Sequence, residues 1–90
     1  MGYDSRKETG MCKINCEIVE GLMPLEKVAR IRTADGEVEE VAVPSQQVTD
    51  NRQLHASELG RDGDKVLIEL PREAASGKWR LWIDANTIGG

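Results

Sequence analysis

Phenylalanine is absent from this 90-residue chain, and two Trp and one Tyr are its only aromatic residues. Its core must therefore be built from aliphatic side chains, which predicts ordinary rather than high stability. The sequence also lacks an apolar run long enough to span a membrane, and it has no basic, apolar leader at its start. We therefore expect no membrane segment and no signal peptide, and we place the protein in the cytoplasm.

Residue types with catalytic or metal-binding chemistry are scarce. His55 is the only histidine and stands in no recognisable pattern with Ser or Cys, and there is no glycine-rich phosphate loop. Asp62 and Asp64 flank Gly63, but the rest of a calcium-binding loop is missing, so a hairpin turn explains them better. The sequence predicts a protein that is not an enzyme and that has no cofactor and no metal.

The two cysteines, Cys12 and Cys16, lie in a stretch that alternates apolar and polar residues and is typical of a β-strand. In a strand they would be about 13 Å apart at ~3.3 Å per residue. A disulfide requires much closer Cα atoms, so we expect two unpaired thiols that pack as small apolar groups in a reducing compartment.

The net charge of −4, with both signs interspersed, is typical of a soluble protein that does not hold phosphates by bulk electrostatics. It favours a protein partner. Nucleic acid would require a local basic patch.

The alternation of apolar and polar residues predicts six short strands within one domain, residues 11–90. Residues 1–10 lack periodicity and are expected to be a flexible tail. The strands are placed at residues 11–20, 25–33, 37–43, 53–59, 65–70 and 78–84, between turns rich in Gly, Pro and polar residues.

Residues 34–36 predict a hairpin between the second and third strands. A register with Ile31 opposite Val41 and Arg32 opposite Glu40 pairs apolar with apolar and cation with anion. It favours a bulge at the two adjacent glutamates of the third strand.

Two connections carry apolar residues. Gly21 ends the first strand, and we expect Leu22 and Met23 in the next turn to cap one end of the core. In the polar connection 45–51 we expect a short helical turn that places Val48 inward.

The two halves of the chain align loosely, which raises the question of an internal repeat. If the repeat is real, two three-stranded units form a six-stranded barrel; if it is chance, the same strands form an SH3-like or other partly open small barrel. Both alternatives are all-β, with five or six short antiparallel strands. Four matches lie 38 to 40 residues apart: Glu20-Gly21 with Leu59-Gly60, Glu26-Lys27-Val28 with Asp64-Lys65-Val66, Val41-Ala42-Val43 with Leu81-Trp82-Ile83, and Val48 with Ile88.

Trp79 and Trp82 are three residues apart in the last strand, so they are expected to face opposite sides of the sheet. Trp79 falls on the apolar, core-facing side, and Trp82 falls outside with Arg80. An exposed Trp beside an Arg suits a protein interface or the stacking of single-stranded nucleic acid. The alternative is that residues 71–77, with Ala75, cover Trp82.

Arg30 and Arg32 form a second outward set, on the second strand. They face a strand that contains Glu37, Glu39 and Glu40, and neutralisation across the hairpin is the simpler explanation of all five residues.

The sequence thus predicts a small non-catalytic protein-interaction module or accessory subunit. Its partner would be another protein or a second copy, bound on the Trp82 face or along an exposed strand edge. The alternative is a nucleic-acid-binding barrel in which Arg80, Trp82, Arg30 and Arg32 converge on one face.

Overall fold

The computed structural model describes residues 10–89, which form two antiparallel β-sheets. The all-β prediction is confirmed, although this part of the chain does not close into a barrel, and the SH3-like alternative stays a prediction. No helix among these residues has the length and apolarity needed to cross a membrane. The sheets have the strand orders β1-β5-β6-β7 and β2-β3-β4, formed by β1 (Met11–Asn15), β2 (Glu17–Glu20), β3 (Glu26–Arg32), β4 (Val38–Pro44), β5 (Gln53–Asp62), β6 (Lys65–Glu69) and β7 (Arg80–Asp84).

The first predicted strand is two strands, because the chain changes sheets at Cys16. β1 pairs with β5 in the four-stranded sheet, whereas β2 pairs with β3 in the three-stranded sheet. A strand that serves two sheets must bend where it passes from one to the other. The prediction of one continuous strand over residues 11–20 is therefore wrong.

The hairpin between β3 and β4 has a register that differs from the predicted one by two residues. Arg30, not Arg32, lies opposite Glu40, and the ladder runs through β4 without the predicted bulge. The turn decides the register: the Thr33 N–H donates to the Glu37 carbonyl at 2.8 Å, and the Gly36 N–H donates to the Thr33 carbonyl at 3.0 Å. Gly36 has φ +93°, a conformation that glycine adopts readily.

Each half of the chain ends in a 3₁₀ helix, Ser45–Gln47 after β4 and Ala85–Thr87 after β7. The first of these confirms the predicted helical turn, and Val48 behind it packs against the core as expected. Val48 forms an isolated bridge to Leu54, and Ile88 forms one to Ile14. Val48 and Ile88 are 40 positions apart in the sequence, and so are Ile14 and Leu54.

The strand pairings of the two halves of the chain correspond to each other. Glu40 lies opposite Arg30, and 40 residues later Arg80 lies opposite Glu69. Equivalent residues are therefore 40 positions apart in the sequence for β4 and β7, but 39 positions apart for β3 and β6. The predicted match of Val28 with Val66 is wrong by one residue, and it would equate an outward position with a core position.

The core lies between the two sheets, and its buried hydrophobic side chains are all aliphatic. Ile14 and Leu54 lie opposite each other at its centre, where β1 pairs with β5. Because these two residues are equivalent in the repeat, their pairing lies on the pseudo-twofold axis. The core residues are Ile14, Ile18, Ala29, Ile31, Val41, Val43, Leu54, Ala56, Val66, Ile68, Leu70, Ala74, Leu81 and Ile83.

The outer edges of β4 and β7 are each covered near their middle by a turn from the other half. The Ala75 N–H donates to the Glu40 carbonyl at 2.7 Å, and the Ala34 N–H donates to the Trp82 carbonyl at 2.8 Å. Covering an edge in this way prevents another strand from pairing along its full length. These two edges are therefore poor docking sites for an extended partner.

Candidate functional site

Trp82 lies on the outer face of β7, as predicted, with 43% of its surface exposed. Arg80 points the same way and contacts Glu69 at 3.5 Å across the ladder. An open groove of about 560 Å³ adjoins them and receives three cationic and two acidic side chains. Its lining is Thr33, Ala34, Asp35, Asp62, Lys65, Lys78, Arg80, Leu81 and Trp82.

Arg30 and Arg32 line a different groove, together with Asn15, Cys16, Glu17 and Val38. Arg30 is already occupied, since its guanidinium contacts Glu40 at 3.0 Å and Glu17 at 3.3 Å. The structure thus brings Arg80 together with Trp82, and Arg30 together with Arg32, in two separate grooves.

Glu39 was expected on the solvated face of the hairpin, but it points inward and is 7% exposed. The Ser76 hydroxyl donates to its carboxylate at 2.6 Å, and the Lys78 ammonium lies 3.6 Å away. A buried carboxylate needs such partners to offset its desolvation. Glu39 therefore joins β4 to the connection between β6 and β7, and it is not a partner of Arg30 or Arg32.

Trp79 is 49% exposed, so the prediction that it faces the core is wrong. β7 begins at Arg80, so Trp79 lies just before the chain enters this strand. The Trp79 carbonyl accepts a hydrogen bond from the Leu70 N–H at 2.8 Å. Trp79, rather than Trp82, lies beside Ala75. We call the groove around it the Trp79 groove: about 680 Å³, lined by Val28, Glu40, Val41, Ala42, Pro71, Arg72, Glu73, Ala75 and Trp79.

The turn between β2 and β3 is the most exposed apolar segment of the described chain. Leu22, Met23 and Leu25 are 98%, 64% and 76% exposed, so the expectation that this turn caps the core is wrong. Three backbone hydrogen bonds hold it beyond the end of the sheet: Gly21 N–H to Glu26 at 3.0 Å, Glu26 N–H to Met23 at 3.1 Å, and Ser45 N–H to Leu25 at 2.8 Å. We call residues 22–25 the apolar turn.

A row of small apolar side chains crosses the outer face of the three-stranded sheet between the apolar turn and the Trp79 groove. Val19 lies opposite Val28, and Val28 lies opposite Ala42. Val28 and Ala42 also line the Trp79 groove. We call the apolar turn, this row and the Trp79 groove together the apolar face.

The sequence carries a local signal for this surface. Four apolar residues, Leu22-Met23-Pro24-Leu25, stand in one short connection. A connection closed by Gly21 and Glu26 is too short to fold back over the core. Contiguous exposed apolar side chains of this kind occur at contact sites for proteins, membranes and ligands, which makes the apolar turn a candidate site.

Cys12 and Cys16 are free thiols, each half-buried against the core, as predicted. Burial raises the pKa of the Cys12 thiol and raises that of Cys16 to about 11. No group of three or more His, Cys, Asp or Glu side chains placed to hold a metal ion occurs within residues 10–89.

We expect both thiols to react with a disulfide reagent in denaturant. In the folded protein at pH 8, we expect Cys16 to react more than tenfold more slowly than it does in denaturant. The thiolate is the reactive species, and a raised pKa lowers its fraction tenfold per unit. Stopped-flow reaction with Ellman's reagent measures the rate of Cys16 in the folded and in the denatured protein, with Cys12→Ser to isolate Cys16. A single reactive thiol, or none, in denatured wild-type protein would contradict the assignment.

Comparison with known proteins finds no family, no curated protein and no solved structure that matches this chain. The functional proposal therefore depends on the geometry of this chain.

Proposed function

We propose that this protein is a small non-catalytic protein-interaction module that docks through its apolar face. The observation that carries the proposal is the apolar turn, with Leu22 98% exposed. Leaving such side chains in water is unfavourable by about 25 cal/mol per Å² of apolar surface, which a partner would recover. The two free thiols support a cytoplasmic location, which we propose with it.

The construction of the apolar turn supports docking rather than incidental exposure. Its three backbone hydrogen bonds and Pro24 restrict the conformations that the turn can adopt before binding. A preorganised anchor loses little conformational entropy on association. A rigid apolar turn is therefore suited to enter a concave apolar site on a partner.

The charges around the turn favour a protein over a lipid surface or nucleic acid. Glu20 and Lys27 form an ion pair at 2.7 Å beside it, and Glu26 adds a further negative charge. Anionic membranes and nucleic acids select clusters of unpaired Lys and Arg instead.

Site-specific photo-crosslinking in cells tests this proposal. Benzoylphenylalanine at position 22 is expected to give discrete cross-linked species on irradiation, each identified by mass spectrometry. The matched control is the same residue at position 11, because Met11 is also exposed and apolar but lies on the four-stranded sheet. No cross-links at position 22, or the same products from both positions, would overturn the proposal.

Nucleic-acid binding is the second candidate, favoured by the groove that Lys65, Lys78 and Arg80 line together with Trp82. Arg30 and Arg32 would extend this surface only if a strand of nucleic acid reached their separate groove. Bases stack on exposed Trp rings, and phosphates bind such cations in a salt-dependent way. Amide and indole NMR shifts clustered at Trp82 on addition of single-stranded RNA or DNA, and lost as salt rises, would support this candidate over the first.

A further inference from the structure

The two halves of the chain, residues 10–48 and 53–89, bury their apolar sheet faces against each other. Each half supplies a three-stranded ladder, β2-β3-β4 or β5-β6-β7, and the core lies between the two ladders. β1 belongs to the first half but pairs with β5 of the second, and Ile88 of the second half bridges to Ile14 of the first. One half alone would leave its apolar sheet face in water, so each half requires the other to fold.

The connection between the halves, residues 49–52, is a tight hairpin turn. The Arg52 N–H donates to the Thr49 carbonyl at 2.9 Å, and the Thr49 N–H donates to the Gln53 carbonyl at 2.8 Å. A three-residue hairpin loop of this kind has a left-handed residue at its end, a position that suits glycine. Here that position holds Arg52, with φ +61°.

Arg52 is an exception among the left-handed turn positions of this chain. Within residues 10–89, every other residue with positive φ is a glycine, namely Gly36, Gly63 and Gly77. A residue with a β-carbon is strained in this conformation. Opening the turn into an extended chain removes that strain, so the sequence weakens the closed form of the one turn that holds both halves in a single molecule.

We infer that two copies of this chain exchange halves, with residues 49–52 as the hinge. The first half of each copy packs on the second half of the other, and the dimer keeps every contact between halves, including the pairing of β1 with β5. It differs from the monomer at the hinge. Exchange of identical elements in this way closes as a dimer.

The hinge is long enough and free enough to open. From Val48 to Gln53 an extended chain spans about 17 Å at ~3.4 Å per residue. Residues 50–52 are exposed, so two closed units can lie side by side at this point. The apolar turn lies within the first half and stays exposed, so the exchange does not depend on the docking proposed above.

Backbone variants of Arg52 test the inference. Glycine relieves the strain of the closed turn, whereas proline, with φ of about −65°, cannot adopt the closed turn at all. The matched control is Arg52→Ala, which also removes the guanidinium that donates to the Ile18 carbonyl but keeps the β-carbon. A dimer opens two hinges, so each backbone effect counts twice.

Sedimentation equilibrium after refolding from urea, at micromolar to near-millimolar concentration, measures these effects. Wild-type protein should pass from monomer to dimer, and Arg52→Ala should dimerise at least as strongly. Relative to Arg52→Ala, the dissociation constant should rise at least tenfold in Arg52→Gly and fall at least tenfold in Arg52→Pro.

Three results would overturn the exchange of halves: wild-type protein that is monomeric at every concentration, a dimer no weaker in Arg52→Gly than in Arg52→Ala, and a folded Arg52→Pro that stays monomeric. If Arg52→Pro does not fold, the comparison of Arg52→Gly with Arg52→Ala decides.

An engineered disulfide distinguishes exchanged halves from a dimer held by its surfaces. Lys13 lies opposite His55, and the Lys13 carbonyl points away from β5 because it accepts the Gly89 N–H at 2.7 Å. Opposite residues in such a non-hydrogen-bonded pair have Cα atoms about 4.5 Å apart, within reach of a disulfide. The test protein carries Lys13→Cys and His55→Cys, with Cys12→Ser and Cys16→Ser to remove the native thiols.

The disulfide joins two chains in the exchanged dimer and one chain to itself in the monomer. The oxidised dimer fraction is therefore expected to run as a covalent dimer in SDS without reductant, and the oxidised monomer fraction as a single chain. A fully oxidised dimer whose chains separate in SDS would be held by its surfaces instead, and would overturn the inference.

Discussion

Replacing Leu54 with Ala is expected to lower the free energy of unfolding by roughly 3 to 4 kcal/mol. Leu54 is fully buried, lies opposite Ile14 and bridges to Val48. It sits where the two halves of the repeat meet, so a cavity there is bordered by strands of both halves and cannot easily collapse. Urea unfolding followed by Trp fluorescence measures the loss as a lower midpoint with an unchanged slope.

The control for this substitution is Leu22→Ala, which removes the same atoms from a side chain that is 98% exposed. It should change stability by less than about 0.5 kcal/mol. Similar losses for both variants, or a loss below about 1 kcal/mol for Leu54→Ala, would mean that the β1 and β5 pairing is not the centre of the core.

The part of the core that lies within strands could be predicted from the sequence, because alternation sets which side chains of a strand point inward. Val41 and Val43, and likewise Leu81 and Ile83, keep their inward direction whatever the strand pairs with. The break at Cys16 could not be predicted in this way. Alternation continues through it, and only the distant partners β5 and β3 determine that the chain must bend there.

The candidate site was predictable only where side-chain direction was enough. The alternation of side chains along a strand correctly placed Trp82 and Arg80 on the outer face. It failed for Trp79, because Trp79 precedes the first residue of β7. The separation of Arg30 from Arg80 depends on which strands share a sheet, and no local pattern encodes that. The prediction that the apolar turn caps the core fails because apolar residues in a short connection need not be covered.

The apolar turn occurs in one half of the repeat only. In the ladders, the ion pair between Arg30 and Glu40 has its counterpart in Glu69 and Arg80, with the charges reversed. The apolar turn has as its counterpart the short polar turn at Gly63 between β5 and β6. The two halves therefore have similar backbone folds but different surfaces, and a partner can distinguish them.

Gly21→Ala is expected to destabilise the protein by roughly 1 to 3 kcal/mol, the range for overpacking at a tight position. A methyl group at Gly21 would lie 2.8 Å from the Glu26 carbonyl oxygen and 2.9 Å from the Glu26 carbonyl carbon. Backbone atoms cannot move aside as a flexible side chain can, so the hydrogen bond that closes the apolar turn must lengthen. Urea unfolding measures the loss, and amide exchange at Gly21 and Glu26 shows whether the turn has opened.

Gly60→Ala is the matched control, because Gly60 is the residue that the sequence alignment of the two halves pairs with Gly21. No atom lies within 4 Å of a methyl group there, and its φ is not in the left-handed region. Alanine should therefore be neutral or add up to about 1 kcal/mol by restricting the unfolded chain. If Gly21→Ala proves as harmless as Gly60→Ala, the turn tolerates rearrangement and is not the rigid anchor that the docking proposal requires. If Gly21→Ala both destabilises the fold and weakens docking, while Gly60→Ala does neither, the shape of the turn and not its apolar composition alone carries the interaction.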